Sequence, residues 1–363
     1  MTSERPTTPT RLQPTYAAAR AEFLDACATA GARVQHFVHP LQGREGEELA
    51  IDVAELGPAD AADVVMIVSG THGVEGYCGS ALQSHWLRDR AGQRPDGVRV
   101  VLAHAWNPFG FSWVRRTDEH NVDLNRNFID WDDTPPVRPS YDEIARLLVP
   151  EDWNDETVAA ADAALFERLA TVPFAEFQET ISGGQFSHPD GVFYGGDGPS
   201  WSHRWLVQWW NYGLGDPDRL ALIDLHTGLG EWGHGELISS ESIGSPDHDR
   251  AIRWWGEVTS MVDGDSVSAE LVGDWLAAAP AHLPDVELTA VALEYGTVDS
   301  ISVVNALRAD AWLHAHGDPT GDSAADVRAA VRAAFADDAP EWIETVERRF
   351  DEVVDQTFRA LAG

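Results

Sequence analysis

The sequence predicts an α/β protein: a mostly parallel, doubly wound mixed sheet flanked by helices, with a long loop-rich insertion. Three observations predict it. Apolar, β-branched runs alternate with helix-period segments along most of the 363 residues. The run Asp63–Ser69 is apolar almost throughout, as a strand buried on both faces of a parallel sheet should be. Polar residues capable of chemistry, His72, His226 and Glu294, each fall at the carboxyl end of such a run, where open α/β sheets bind ligands.

Taken in order, residues 1–14 are rich in Thr and Pro and read as a flexible tail before a single domain over 15–363. Tyr16–Ala30 is Ala-rich with helical spacing. Residues 34–39 and 48–55 read as strands around the loop Gln42-Gly43-Arg44-Glu45-Gly46. After Asp63–Ser69 come a helix over 79–90 and a strand over 98–105. From about 106 to 218 the rhythm breaks. Trp, Pro, Gly and Asp crowd this insertion, which holds one acidic helical piece near 156–170 and is where specificity usually resides. Regularity returns with a strand over 219–225, a helix over 248–261, a strand over 287–294, and helices from about 302, 323 and 340.

Composition narrows the partners. The formal charge is −35, and all 25 basic residues are Arg. Such a surface repels nucleic acid and anionic membranes, so neither is expected as a partner. The acidity reads as solubility in a salty or crowded cytoplasm. The start of the chain lacks an apolar signal region and no 18-residue apolar run occurs, so a cytoplasmic location is expected. Cys27 and Cys78 form neither a disulfide framework nor a Cys-type zinc site. The pairs Trp209-Trp210 and Trp254-Trp255 read as core or interface packing, which leaves self-association open.

The densest chemistry follows the strand Asp63–Ser69, in Thr71-His72-Gly73-Val74-Glu75. An imidazole and a carboxylate three positions apart, just past a strand end, can turn toward one point. Alone, His-x-x-Glu is a common chance match. A distant His226, ending Ile223-Asp224-Leu225-His226, completes a set of three ligands with a fourth position open, the pattern of a catalytic rather than a structural zinc. Such an ion acidifies water and polarises a carbonyl, and a general base that is not a ligand is then required. Glu294, ending the apolar strand 288–294, is the candidate; a Glu held by an Arg or a helix N-terminus is the plainer alternative.

A second motif is Asn121-Val122-Asp123-Leu124-Asn125-Arg126-Asn127-Phe128. Arg126 offers a planar fork for a carboxylate, with Asn125 donating beside it. Asp123 could accept the free N–H of a ligating imidazole. The alternative is a polar turn whose side chains satisfy their own backbone. Arg115 and Arg116 follow Trp113; surface salt bridges are the simpler reading for Arg115. The loop from His188 to Gly196 reads either as a pocket wall with His188 and Tyr194 pointing inward, or as a tight turn. His234 is a weaker site candidate, and His104, His120, His314 and His316 read as structural or solvated.

His72-Gly73-Val74-Glu75, the motif from Val122 to Phe128, His226 and Glu294 occur in the order seen in zinc carboxypeptidases and the succinylglutamate desuccinylase and aspartoacylase group. The segments 69–79, 107–111, 188–196, 224–230 and 293–297 more closely resemble a bacterial branch of that superfamily, over roughly residues 60–316. The resemblance implies a zinc carboxypeptidase-like fold and one Zn2+ per chain on His72, Glu75 and His226. It implies Glu294 as base, with Asn125 and Arg126 on a substrate carboxylate. One departure matters: carboxypeptidases carry a substrate-capping Tyr between the last ligand and the base, and residues 227–293 contain none.

The expected activity is therefore zinc-dependent hydrolysis of an amide bond next to a carboxylate, in an N-acyl amino acid or small peptide, with Arg116 beside the oxyanion. A true metallocarboxypeptidase is the first rival. A catalytically silent metal- or ligand-binding protein is the second, opposed by the joint presence of base, ligands and carboxylate binder.

Overall fold

The computed structural model describes residues 10–362. Of the tail expected over 1–14, positions 1–9 lie outside the described residues; Thr10 is buried, and Leu12 packs against two of the core clusters. Helix α1 (Tyr16–Ala30) begins where the Thr15 hydroxyl accepts the Ala18 N–H. The hairpin β1 (Arg33–Gln42) and β2 (Glu48–Leu56) follows, then β3 (Asp63–Ser69), α2 (Gly76–His85) and β4 (Val98–His104). The segment between β4 and the next strand holds α3 (Pro108–Trp113), the single turns α4 (Pro139–Asp142) and α5 (Ala145–Leu148), α6 (Asp155–Leu169), α7 (Phe174–Ser182) and α8 (Trp201–Tyr212). The chain continues through β5 (Arg219–Trp232), β6 (Gly235–Ser239), α9 (Pro246–Trp255), β7 (Thr259–Ser260) and α10 (Trp275–His282). It closes with β8 (Glu287–Gly296), α11 (Ser300–Ala315), α12 (Ala324–Phe335) and α13 (Pro340–Leu361).

All eight strands form one mixed sheet in the order β1-β2-β4-β3-β5-β8-β6-β7. The central strands β4, β3, β5 and β8 run parallel, while β1–β2, β2–β4 and β6–β8 are antiparallel. Strand periodicity divides the core. Val65, Ile67, Val100, Leu102, Ile223 and Leu293 face a layer containing α1, α2, α9 and α13. Val64, Met66, Val68, Val101, Ala103 and Leu222 face the tryptophans of α8 and α10. Two packed faces explain why Asp63–Ser69 lacks a polar alternation.

Several elements depart from the sequence expectation. The helix expected over 248–261 stops at Trp255 and gives way to the short β7, and the strand expected to end at Leu225 runs on to Trp232. The helix expected over 79–90 ends at His85 and continues as a π turn, Trp86–Arg90. Helix α8 lies in a region that reads as loops, yet Trp205, Leu206, Trp209 and Trp210 form a buried helical stripe. Helix α10 is masked in the sequence by Pro280 near its end.

His104 and His203 are buried, and His314 half-buried, without a carboxylate strong enough to keep them charged. Burial pushes His104, His203 and His314 down to about 4. His104 stacks on Phe23, with ring centroids 4.3 Å apart, and its Nε2 meets Ser80 Oγ at 2.9 Å. Unfolded histidines titrate near about 6.5, so the unfolded chain binds more protons as pH falls below that value. These groups therefore favour the folded state fully above that value, and their contribution is lost progressively from there down toward about 4. His85, raised by Asp351 and Glu347 against burial, acts in the opposite sense. So do Glu294, pushed up to about 8, and Asp118, pushed up to about 7, both by burial, so the His104 contribution is read as a difference between variant and parent. Between about pH 7 and about pH 5 the urea midpoint of His104→Gln should decline less than that of the parent. A variant whose midpoint declines as steeply as the parent's would show that His104 is not involved.

Candidate active site

The site is built at the carboxyl ends of β3, β5 and β8. Past β3, His72 leads a 3-10 turn, Gly73–Glu75, which runs directly into α2. Gly73 is required there, because a Cβ would collide with the backbone of Gly110 and Phe111 in α3. The N–H groups of Gly73 and Val74 donate to the carbonyls of Arg116 and Arg115 at 3.1 and 2.8 Å, which ties the His72 turn to the arginine segment. On β5, Asp224 and His226 are two residues apart and so share a face. In the parallel pairing of β5 with β8, His226 lies opposite Glu294, so the neighbouring strand sets the carboxyl beside the imidazole.

His72, Glu75 and His226 form a group that could hold a metal ion, with ligand atoms all within 4.8 Å of one another. All three are buried. His72 Nδ1 is 2.7 Å from Glu75 Oε1, His226 Nδ1 is 2.8 Å from Glu75 Oε2, and the two Nδ1 atoms are 3.2 Å apart. The opposite ring nitrogens are committed elsewhere. His72 Nε2 meets Asp123 Oδ1 at 3.2 Å and His226 Nε2 meets Asp224 Oδ2 at 2.6 Å. A carboxylate accepts, so each Nε2 donates, and in a neutral ring each Nδ1 then presents a lone pair. Two lone pairs and a carboxylate converging on one buried point need positive charge between them. Protons on the imidazoles could supply it, and a divalent cation supplies it with the donor set that zinc favours. The residues fit a metal.

The charges around this point are strongly coupled. Burial raises Glu75, but His72 and His226 overcome it and hold the carboxyl well below its ordinary value. Asp123 is likewise held low against burial, by Arg116, Arg126 and His72. Burial lowers His226, and Asp224 and Glu75 raise it well above the usual imidazole range. Glu294 responds differently: burial, with the charge of Glu75, pushes it up to about 8, although the Leu229 N–H donates to Oε1 at 3.0 Å.

A cavity of about 250 Å³ opens over this group. His72, Arg116, Asn125, Arg126, His226 and Glu294 line one end of it. Arg116 is anchored by Nε to Asp123 Oδ2 at 2.8 Å and by Nη1 to Glu75 Oε1 at 3.4 Å. Arg126 is buried; its Nε and Nη2 donate to the Ser182 carbonyl at 3.0 and 2.6 Å, and its Nη1 to the Asn125 carbonyl at 2.8 Å. Burial lowers this guanidinium to about 10. Both arginines lie over the Phe193 ring, 5.2 and 5.5 Å from its centroid.

Some expectations are corrected here. His188 does not line the cavity; its Nε2 meets Asp142 at 2.8 Å near the surface. Tyr194 does not line it either, its ring being buried elsewhere, while its carbonyl accepts the Asp123 N–H at 2.8 Å. The neighbour Phe193, with φ at 56°, is the residue of that loop that enters the cavity wall. Arg115 is no surface residue: it is buried, with Nε 2.9 Å from Asp310 Oδ2. His234 sits exposed on a turn. Sequence reasoning also missed Asp224, which accepts from Thr71 Oγ1 and Trp275 Nε1, both at 2.7 Å, as well as from His226. Its place two residues before His226 on a strand was the available signal.

Several solved structures are similar to this chain at low identity. An aspartoacylase family protein from Mesorhizobium loti is 13% identical, with a TM-score of 0.39 over 79% of this chain and 67% of that one. Bovine thrombin-activatable fibrinolysis inhibitor is 12% identical, with a TM-score of 0.46 over 88% and 95%. Murein-tripeptide amidase from Escherichia coli O157 is 18% identical, with a TM-score of 0.37 over 81% and 94%. Likeness at this level leaves the chemistry to be read from the site itself. No curated protein matches. Residues 13–349 match the family described as "Protein of unknown function (DUF2817)", and the chain belongs to that family.

Proposed function

We propose that this protein is a zinc-dependent hydrolase of an amide bond adjacent to a carboxylate. The observation that carries the reading is the convergence of His72 Nδ1, His226 Nδ1 and Glu75 on one buried point, each imidazole oriented by its own carboxylate, beside Glu294 in the same cavity. A zinc ion held there supplies a Lewis acid for the amide carbonyl and makes water more acidic.

The chain's own groups account for the remaining steps. Glu294 acts in its ionised form, which a bound cation would favour against the burial and the Glu75 charge that raise it. It takes a proton from the attacking water as the water oxygen bonds the carbonyl carbon. It returns that proton to the amine nitrogen as the C–N bond breaks. Arg116 is held by Nε and Nη1, and its Nη2 has no partner among the described residues, which leaves it free to stabilise the developing oxyanion. Arg126 has five N–H donors, three of them bonded to the Ser182 and Asn125 carbonyls; the other two, with Asn125, can receive a substrate carboxylate. No Tyr lines the cavity among the described residues, which favours a small acyl-amino acid over a peptide capped by a phenol.

Protein purified without added metal should carry about one equivalent of zinc per chain. His72→Ala and His226→Ala should each remove metal and activity, and Asp224→Asn should weaken metal affinity by about 10–100-fold. A His72/His226 double alanine variant that keeps its full metal content would sink the ligand assignment. Glu294→Gln should keep metal and fold while turnover drops by about 10²–10⁴-fold; activity within a few-fold of the parent would move the base elsewhere. Arg126→Lys keeps the charge but loses the fork, so kcat/KM should fall on a free-acid N-acyl amino acid and change little on its amide. Equal losses on both substrates would assign Arg126 to the fold. Faster cleavage of tripeptides than of N-acyl amino acids would instead favour a carboxypeptidase.

A further inference from the structure

Away from the ligand end, the cavity continues into a chamber whose walls are apolar. Leu165, Phe166 and Leu169 reach it from α6, and Phe174, Phe177 and Ile181 from α7. Ile301, Val304 and Leu307 of α11 also line it. The α7 residues recur at i, i+3 and i+7, the spacing of a helix face that normally packs into a core. Phe166, Phe174 and Ile301 are nevertheless 55%, 63% and 55% exposed. Large apolar side chains from three helices, left open around one cavity, form a patch of the kind that marks a binding surface.

The chamber's charged groups are already satisfied. Arg308 donates to the Leu147 and Leu148 carbonyls, at 2.9 Å each, and to Asp162 and Asn305. Asp274 accepts from Ser240 and from the N–H groups of Leu276 and Ala277. A carboxylate could meet Arg126 or Arg116 at the ligand end, but a second carboxylate deeper in the chamber would meet no uncommitted cation among the described residues. An acidic acyl group is therefore poorly matched, and a short one would leave the apolar walls in water.

We propose that the chamber holds a long aliphatic acyl chain. The substrate class is then a carboxylate-bearing amine acylated by a medium-length or longer fatty chain, in preference to an acetyl or dicarboxylic acyl group. This inference rests on the amide-hydrolase reading for the reaction, but not for the binding.

Two measurements on the metal-loaded full chain separate the claims. Calorimetric titration with straight-chain carboxylates, from acetate to decanoate, reads the chamber without any hydrolysis. Kd should fall by about fourfold per added methylene until the chamber is filled. Hydrolysis of N-acyl amino acids of matching chain length should show the same trend in kcat/KM. Phe166→Asp and Phe174→Asp, at positions already exposed, should each reduce the decanoyl-to-acetyl ratio of kcat/KM by about tenfold. Chain-length-dependent binding with no hydrolysis of any amide supports the chamber and overturns the amide-hydrolase reading. Hydrolysis with no gain along the series, and flat binding, overturns the chamber and leaves the hydrolase standing. Preference for acetyl or succinyl amides would likewise overturn it.

Discussion

Two imidazoles held between three buried carboxylates are the constraint on which the rest of the site depends. Glu75, Asp123 and Asp224 are almost fully removed from water. A buried carboxylate without donors costs several kcal/mol, so each oxygen must find a partner. Asp224 takes the Thr71 hydroxyl, the Trp275 indole and His226 Nε2; Asp123 takes the Asn125 N–H, Arg116 and His72 Nε2. Those bonds fix which nitrogen of each ring points at Glu75. They also draw the β3 turn, the Leu124–Arg126 turn, β5 and α10 to one place, so the architecture and the ligand geometry are one problem.

The sheet solves it by register. The end of β3, the point on β5 where its pairing with β3 stops, and the last residues of β8 before Gly296 lie at a similar height, and each delivers one part of the site. The β5–β8 pairing puts Glu294 opposite His226, so a one-residue slip would turn the carboxyl to the helical layer on the other face. The apolar residues Ile223, Leu225, Val291 and Leu293 on that other face, buried against α9 and α13, oppose any such slip. Core packing thus sets the relation between two polar groups that never share a sequence motif.

Positive charge is scarce in this chain, and where it is buried it has structural partners. Arg115 locks onto Asp310, Arg308 onto two carbonyls near α5, and Arg116 onto the site carboxylates. Arg126 sits so deep that burial lowers it to about 10, while the Phe193 ring beneath it and Arg116 offers the face of an aromatic to both cations. The segment between β4 and β5, which breaks the α/β rhythm, is thereby split in role. Its first part, to Arg126, completes the polar end of the cavity, and α6 and α7 build the apolar end.

By itself, the sequence determined the α/β class, the near-continuous burial of β3, and the strands that lead to His72, His226 and Glu294, although β5 runs on past His226 to Trp232. These are local signals, since strand periodicity and the placement of polar residues at strand ends are written within a few residues. It also determined that residues 227–293 lack a Tyr, which no folding can restore. Tertiary structure alone decided which residues of the loop from His188 to Gly196 face the cavity: Phe193, in a left-handed backbone conformation, does, while His188 and Tyr194 do not. It decided that Arg115 is buried against Asp310, 195 residues away in sequence, and that α8 is a helix at all, through a tryptophan stripe packed on the sheet. It decided, finally, that Phe166, Phe174 and Ile301 of α6, α7 and α11 stand open around one cavity while Leu165, Ile181 and Leu307 of the same helices close into the core. That outcome depends on how helices far apart in the chain pack, and helical periodicity marks a face as apolar without naming what covers it.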